Sequence, residues 1–220
     1  SWSRRDFPWS NTIQEVLIRV FGLRDFRQNQ LEVINCTMSK KDAFVLMPTG
    51  GGKSLIYQLS AVCTPGVTVV ISPLVALISD QVSQLRVMNI PATFLGRGQD
   101  DSMEVFQRLN DRNSDLKILY LTPEKVSQSN YTQDRPRRLH QQGRLARVAI
   151  DEAHCVSQWG RDFRPDYQEC SFFKKNFPDV PVLALTATAT DKVKLDVIQQ
   201  LGLKDAQSFQ TSFNRSNLSY

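Results

Sequence analysis

Met47-Pro-Thr-Gly-Gly-Gly-Lys-Ser54 is the stretch of the chain with the most specific chemistry. A glycine run ending in Lys-Ser suits a polyphosphate. Gly50, Gly51 and Gly52 tolerate positive φ and let backbone N–H groups approach phosphate oxygens closely. A helical pattern starts at Leu55, and a helix N-terminus favours negative charge. The spacing follows GxxxxGK[ST], with Met47 in place of the first glycine and Thr49 inside the loop. Lys53 is then expected to reach the β- and γ-phosphates, and Ser54 to ligate Mg²⁺. The plainer alternative is a glycine turn with an exposed lysine. Further along, Asp151-Glu152-Ala153-His154 follows an apolar run ending at Ile150. Asp151 is expected to hold Mg²⁺, and Glu152 to orient and deprotonate an attacking water. An acidic pair opening a helix is the alternative. His154 reads either as a core histidine or as a link from the acidic pair to the next motif.

These groups need a scaffold that brings distant segments together. Short apolar, β-branched runs predict strands at 43–47, 67–72, 92–95, 117–122, 146–151 and 182–186, with a seventh near 206–210. Helical patterns fill the gaps. Ile13, Val16, Leu17, Val20 and Phe21 form one apolar stripe over 12–21, with Thr12 and Glu15 spaced as a capping box. Val75, Ile78, Val82 and Leu85 mark a second helix. Val105, Phe106 and Leu109 mark a third, and Val193, Val197, Ile198 and Leu201 a fourth. Strands joined by helices predict an α/β fold with a mainly parallel sheet covered on both faces. Ligands of such sheets bind at the carboxyl ends of the strands.

Composition excludes several classes. Of 220 residues, 41% are hydrophobic and 22% charged, which suits a globular chain rather than a disordered one. No apolar run reaches the length of a membrane helix. Ser1–Ser10 has no apolar core, so no secretion signal is expected. Cys36, Cys63, Cys155 and Cys170 form no CxxC pair, and with only His140 and His154 a His-rich metal site is excluded. The net charge of +5 permits a polyanionic partner without requiring one.

Taken together, the two chemical motifs resemble superfamily 2 helicases, and further stretches narrow the match. Phe21-Gly-Leu-Arg-Asp-Phe-Arg-Gln-Asn-Gln30 is similar to the segment upstream of the phosphate loop in RecQ-family DNA helicases. Asp151 to Tyr167 resembles their motif II run into an aromatic-rich loop, and Leu183-Ala-Leu-Thr-Ala-Thr-Ala-Thr190 their motif III. Ile71–Leu77 and Leu121–Lys125 match two further motifs. Ser212-Phe-Asn-Arg-Ser-Asn217 resembles the junction into a second motor domain. Similarity spans nearly the whole chain and is closest to the Bloom-syndrome type.

The resemblance implies a RecA-like domain using ATP and Mg²⁺, with Arg27 and Gln30 reading adenine. Leu23 stands where some relatives carry a stacking aromatic, and leucine supplies apolar contact only. It also implies that Gln158, Trp159, Arg161, Phe163 and Arg164 bind single-stranded DNA through stacked bases and paired phosphates. Arg161 departs from the family's usual histidine. Thr186 and Thr188 are expected to bond His154 or Asp151 and relay the nucleotide state. Ser72, Arg97 and Thr122 are weaker candidates for DNA phosphates. Arg135, Arg137, Arg138, Arg144 and Arg147, with His140, read as a solvated helix and loop, Arg147 lying inside the following strand; a DNA groove is the alternative.

The implied organisation is a helical segment over 1–42 carrying the adenine motif, a core over 43–211, and at 212–220 the start of a link to a second RecA-like domain. On this reading the chain is half of a DNA-unwinding motor, nuclear, with 3′→5′ polarity implied by the family alone. An RNA-dependent ATPase and a non-enzymatic nucleotide- or DNA-binding module are the rivals.

Overall fold

The computed structural model describes residues 1–50, 52–95, 103–128 and 130–211. Gly51, Arg97 and Ser212–Asn217 lie outside the described residues, as do the side chains of Val105 and Phe106. Seven strands form one sheet: β1 (Ala43–Leu46), β2 (Val67–Ile71), β3 (Ala92–Leu95), β4 (Ile118–Leu121), β5 (Leu145–Ile150), β6 (Val182–Thr186) and β7 (Gln207–Gln210). Their order is β3-β4-β2-β5-β6-β1-β7, and every pairing is parallel. All residues of β1 to β4 and β6 are buried, as continuous apolar runs in a doubly covered sheet require. Polar β7 alternates between half-buried and exposed and closes one edge.

Successive strand side chains point to opposite faces and so build two separate cores. Val45, Val70, Tyr120 and Leu183 pack with α1 (Ser10–Arg19), α2 (Gln30–Met38), α3 (Lys53–Val62) and α4 (Val75–Val87). Phe44, Val69, Leu119 and Ala184 face the other way. They meet α5 (Met103–Asn110), α6 (Pro123–Gln128), α7 (Asn130–Gln141), α8 (Ser171–Asn176) and α9 (Asp191–Leu201). The register matters most for chemistry. Leu46 lies beside Thr186 and Ile71 beside Ile150, so the segments after β1, β5 and β6 leave the sheet at one edge.

At the opposite end of the sheet, Asp42 ties the layers together. Its carboxylate accepts from Lys174 Nζ, Val182 N and Lys204 N, each at 2.9 Å. Both Asp42 and Lys174 are buried. Buried Arg147, inside β5 as expected, donates to the hydroxyls of Thr37, Thr64 and Thr68, and burial pulls its guanidinium down to about 10.

Three local expectations are corrected. Helix α1 starts at Ser10, after Trp9, and has no side-chain cap bond. Thr12 therefore lies inside the first turn instead of at the cap, and Glu15 pairs with Arg19 at 3.0 Å. Val75 is exposed, because the inward stripe of α4 begins at Ile78. Arg135 is buried rather than solvated: it stands one turn before core residue Leu139 on α7.

Candidate functional site

The phosphate loop leaves β1 with one further ladder bond, Met47 N to Thr186 O at 3.0 Å. Gly50 and Gly52 both have φ of +82°. Gly52 immediately precedes α3, where a Cβ would also collide with the amide nitrogen of Gln30. The positive φ favours glycine there, while the Gln30 amide at the end of its flexible stem would have to shift for any larger residue. Gln30 is buried. Its Nε2 donates to Gly52 O (3.1 Å) and its Oε1 accepts from Arg27 N (2.7 Å), while Arg27 Nη1 donates to Gly50 O. Lys53 Nζ donates to Met47 O at 3.3 Å. Arg27, Gln30, Gly50, Gly52 and Lys53, with Thr49, Ser54, Leu23, Asp25, Leu77 and Gln81, line a cleft of about 410 Å³, whereas the side chain of Met47 is buried in the core and does not line it. Asp151 and Glu152 form its far wall.

Asp151 is 9% exposed, and Tyr167 Oη donates to its backbone carbonyl at 2.9 Å. Its Oδ1 accepts from Glu152 N at 2.9 Å. Burial first, and then the neighbouring Glu152 charge, push the Asp151 carboxyl up to about 6, against the pull of Lys53. A buried carboxylate facing a cleft suits a divalent cation shared with the Ser54 hydroxyl and substrate phosphates. Mg²⁺ is commonly held by one or two protein groups in this way. Glu152 has φ of +53°, a left-handed conformation costing a bulky residue about 1–3 kcal/mol.

The raised carboxyl sets a stability prediction. An aspartate at about 6 in the fold and at 3.8 when unfolded destabilises the protein above pH 6, and the penalty fades as pH falls toward 4. In metal-free buffer, Asp151→Asn is expected to stabilise the fold by about 2–3 kcal/mol at pH 8, and by about half as much at pH 5. Urea unfolding at both pH values measures this. An equal effect at both would contradict the cause given.

His154, also buried, joins three segments. Thr186 Oγ1 donates to Thr188 O (3.0 Å), so its oxygen accepts from His154 Nδ1–H at 2.7 Å. The same nitrogen lies 3.6 Å from Glu152 Oε2, and Nε2 lies 3.5 Å from Asp162 Oδ2. Asp162 belongs to the aromatic-rich loop, where Gln158, Trp159, Arg161 and Arg164 are exposed and Phe163 is half-buried. Trp159 is 65% exposed. A cleft of about 560 Å³ runs between Trp159, Arg161 and the Thr188–Thr190 segment.

The structure therefore gathers Arg27, Gln30, Lys53, Ser54, Asp151 and Glu152 around one cleft, and links His154 to Thr186. Thr188 is exposed, and its carbonyl, rather than its hydroxyl, bonds Thr186. Ser72 and Thr122 are buried, which counts against phosphate contacts by either. Sequence reasoning missed Asp162, Gln81, and the α9 residues Lys192 and Asp196. Lys192 Nζ sits 3.5 Å from the Trp159 ring centroid, and Asp196 Oδ2 accepts from Ser157 Oγ at 2.6 Å. Their i, i+4 spacing places them on one face of α9, but no local pattern names their partners.

A phosphate loop and an acidic strand end meeting at one edge of a parallel sheet, with a histidine bonded to the next strand, define a phosphate-loop nucleotide-binding domain. The DEAD/DEAH box helicase family model matches residues 27–195, and the chain belongs to that family. The chain is 52% identical to ATP-dependent DNA helicase Q-like 4B of Arabidopsis thaliana, over 100% of this chain and 19% of that protein. It is 48% identical to RecQ-like DNA helicase BLM of Xenopus laevis, over 98% of this chain and 16% of that one. It thus spans less than a fifth of either relative. The solved structure of the DUF1998 helicase MrfA has the same fold, with a TM-score of 0.68 at 18% identity, covering 92% of this chain and 32% of that one. Among the described residues, no helix is long and apolar enough to cross a membrane.

Proposed function

We propose that the chain is the first motor domain of an ATP-dependent DNA helicase of the RecQ type. It binds ATP with Mg²⁺ in the cleft after β1. Hydrolysis is coupled to movement along single-stranded DNA, 3′→5′, and to duplex unwinding in repair and recombination within the nucleus. Residues 1–42 carry the adenine contacts and 43–211 the core, while 212–220 begin the link to a second RecA-like domain of the same protein. The observation that carries this reading is the path from Glu152 through His154 to Thr186 on one side and to Asp162 on the other. A simple nucleotide-binding module has no need to tie its water-activating carboxylate to an exposed aromatic loop.

Each residue has a defined task on this reading. Lys53 turns from the Met47 carbonyl to the β- and γ-phosphates, with a shift of its flexible stem. The Gln30 amide exchanges Gly52 O and Arg27 N for the adenine edge, beside Arg27. Glu152 takes the proton of the attacking water. Ser54 and Asp151 hold Mg²⁺, whose charge neutralises phosphate oxygens. Trp159 and Phe163 stack on bases, while Gln158, Arg161 and Arg164 contact the backbone. His154 passes the loop's position to Glu152.

Trp159→Ala tests the coupling in the intact protein. The poly(dT) concentration that half-saturates its ATPase stimulation is expected to rise about 5- to 150-fold, since base–aromatic stacking is worth about 1–3 kcal/mol per base. Stimulation by poly(U) should be weak in the unsubstituted protein. Equal stimulation by RNA, or an unchanged half-saturating poly(dT) concentration without Trp159, would refute the assignment.

A further inference from the structure

Helix α9 grips the aromatic loop at two points on one face. Asp196 accepts from Ser157 Oγ at the start of the loop, and Ser157 Oγ itself accepts from Trp159 N at 3.2 Å. One turn earlier, Lys192 places its ammonium 3.5 Å from the Trp159 ring centroid. With that cation over the ring, Trp159 is still 65% exposed, so most of the side chain remains open to solvent. A ring held by one contact yet largely open is a stacking platform set before any base arrives. Ordering such a side chain on binding costs conformational entropy, and pre-ordering removes that cost. Helix α9 also follows directly on the Thr186–Thr190 segment, whose Thr186 bonds His154. The platform and His154 therefore rest on one continuous piece of chain.

We propose that Lys192 is a positioning residue for strand binding: its ammonium holds Trp159 against α9 with the exposed ring presented to an unpaired base. This rests on the reading of Trp159 as a base-stacking residue. Lys192 acts through the ring and not by pairing with a DNA phosphate. Arginine can replace it, because a guanidinium also stacks on an indole.

The experiment compares Lys192→Ala, Lys192→Arg, Trp159→Ala and the double variant Lys192→Ala/Trp159→Ala in the intact protein. Three quantities are read: the poly(dT) concentration that half-saturates ATPase stimulation, its salt dependence, and deuterium uptake over 157–164 without DNA. Lys192 is exposed, so its substitution leaves the core untouched. Lys192→Ala is expected to raise the half-saturating concentration about two- to fivefold, as loss of an interaction of about 0.5–1 kcal/mol predicts. The maximal rate should stay within about twofold, uptake over the loop should rise, and Lys192→Arg should restore all three. In the Trp159→Ala background, Lys192→Ala should add nothing. A salt slope reduced by about 0.7 would mark a lost phosphate contact and overturn the positioning role. So would additive effects in the double variant, or unchanged uptake and affinity. If Trp159→Ala itself leaves strand binding intact, the reading of the loop fails; if only Lys192→Ala is silent, this proposal alone fails.

Discussion

Lys53→Ala is expected to lower DNA-stimulated ATP hydrolysis by the intact protein by about 10²–10³, and Glu152→Gln by about 10²–10⁴. The two losses should differ in kind. Lys53 supplies the mobile cation of the cleft, resting 3.3 Å from the Met47 carbonyl. Without it, charge on the transferring phosphoryl group is less stabilised, so both nucleotide affinity and the maximal rate should fall. Glu152, on the proposed reading, supplies a base. Its amide isostere keeps the left-handed turn and the shape of the wall but cannot accept a proton, so ATP affinity should hold while turnover stops. Fluorescent nucleotide binding and steady-state hydrolysis, measured on the same preparations, separate these effects. Unchanged hydrolysis and unwinding in both variants would refute the motor reading and favour a nucleotide-binding scaffold.

The largest expected effect on folding lies far from that chemistry. Asp42→Ala is expected to destabilise the protein by about 3–5 kcal/mol, because it leaves the Lys174 ammonium buried without its counter-charge. The amides of Val182 and Lys204 lose their acceptor as well. Lys174→Met should cost less. It leaves the Asp42 carboxylate with two backbone donors, and a methionine of similar length fills the space. Urea unfolding of both variants checks the ranking. If Lys174→Met is the more damaging change, the carboxylate is not the organising group.

The strands were legible because a sheet covered on both faces demands apolar residues at consecutive positions. Val67–Ile71 and Val182–Thr186 meet that demand within a few residues. The phosphate loop and the acidic pair were legible for a similar local reason, since each is a short run with one exacting backbone requirement. Helix starts were less so. Thr12 and Glu15 have the spacing of a cap, yet Trp9, packed against the core and bonded to Asn35, sets the start of α1 earlier. Contacts between distant segments left no mark. Nothing near Trp159 points to Lys192, nothing near His154 points to Asp162, and Asp42 looks like a loop aspartate until β6 is beside it.

The strand order carries a consequence for how the chain is made. β1 pairs only with β6 and β7, and both are synthesised long after it. A growing chain exposes Ala43–Leu46 and the phosphate loop behind it with no neighbouring strand until residues 182–210 have left the ribosome. The β2, β4 and β5 pairings can form earlier, from closer segments. Such long-range closure is slow and leaves an open apolar edge in the meantime. The nucleotide cleft therefore cannot be complete until β6 has been made, and ATP can reward only a chain in which β1 has found that late partner.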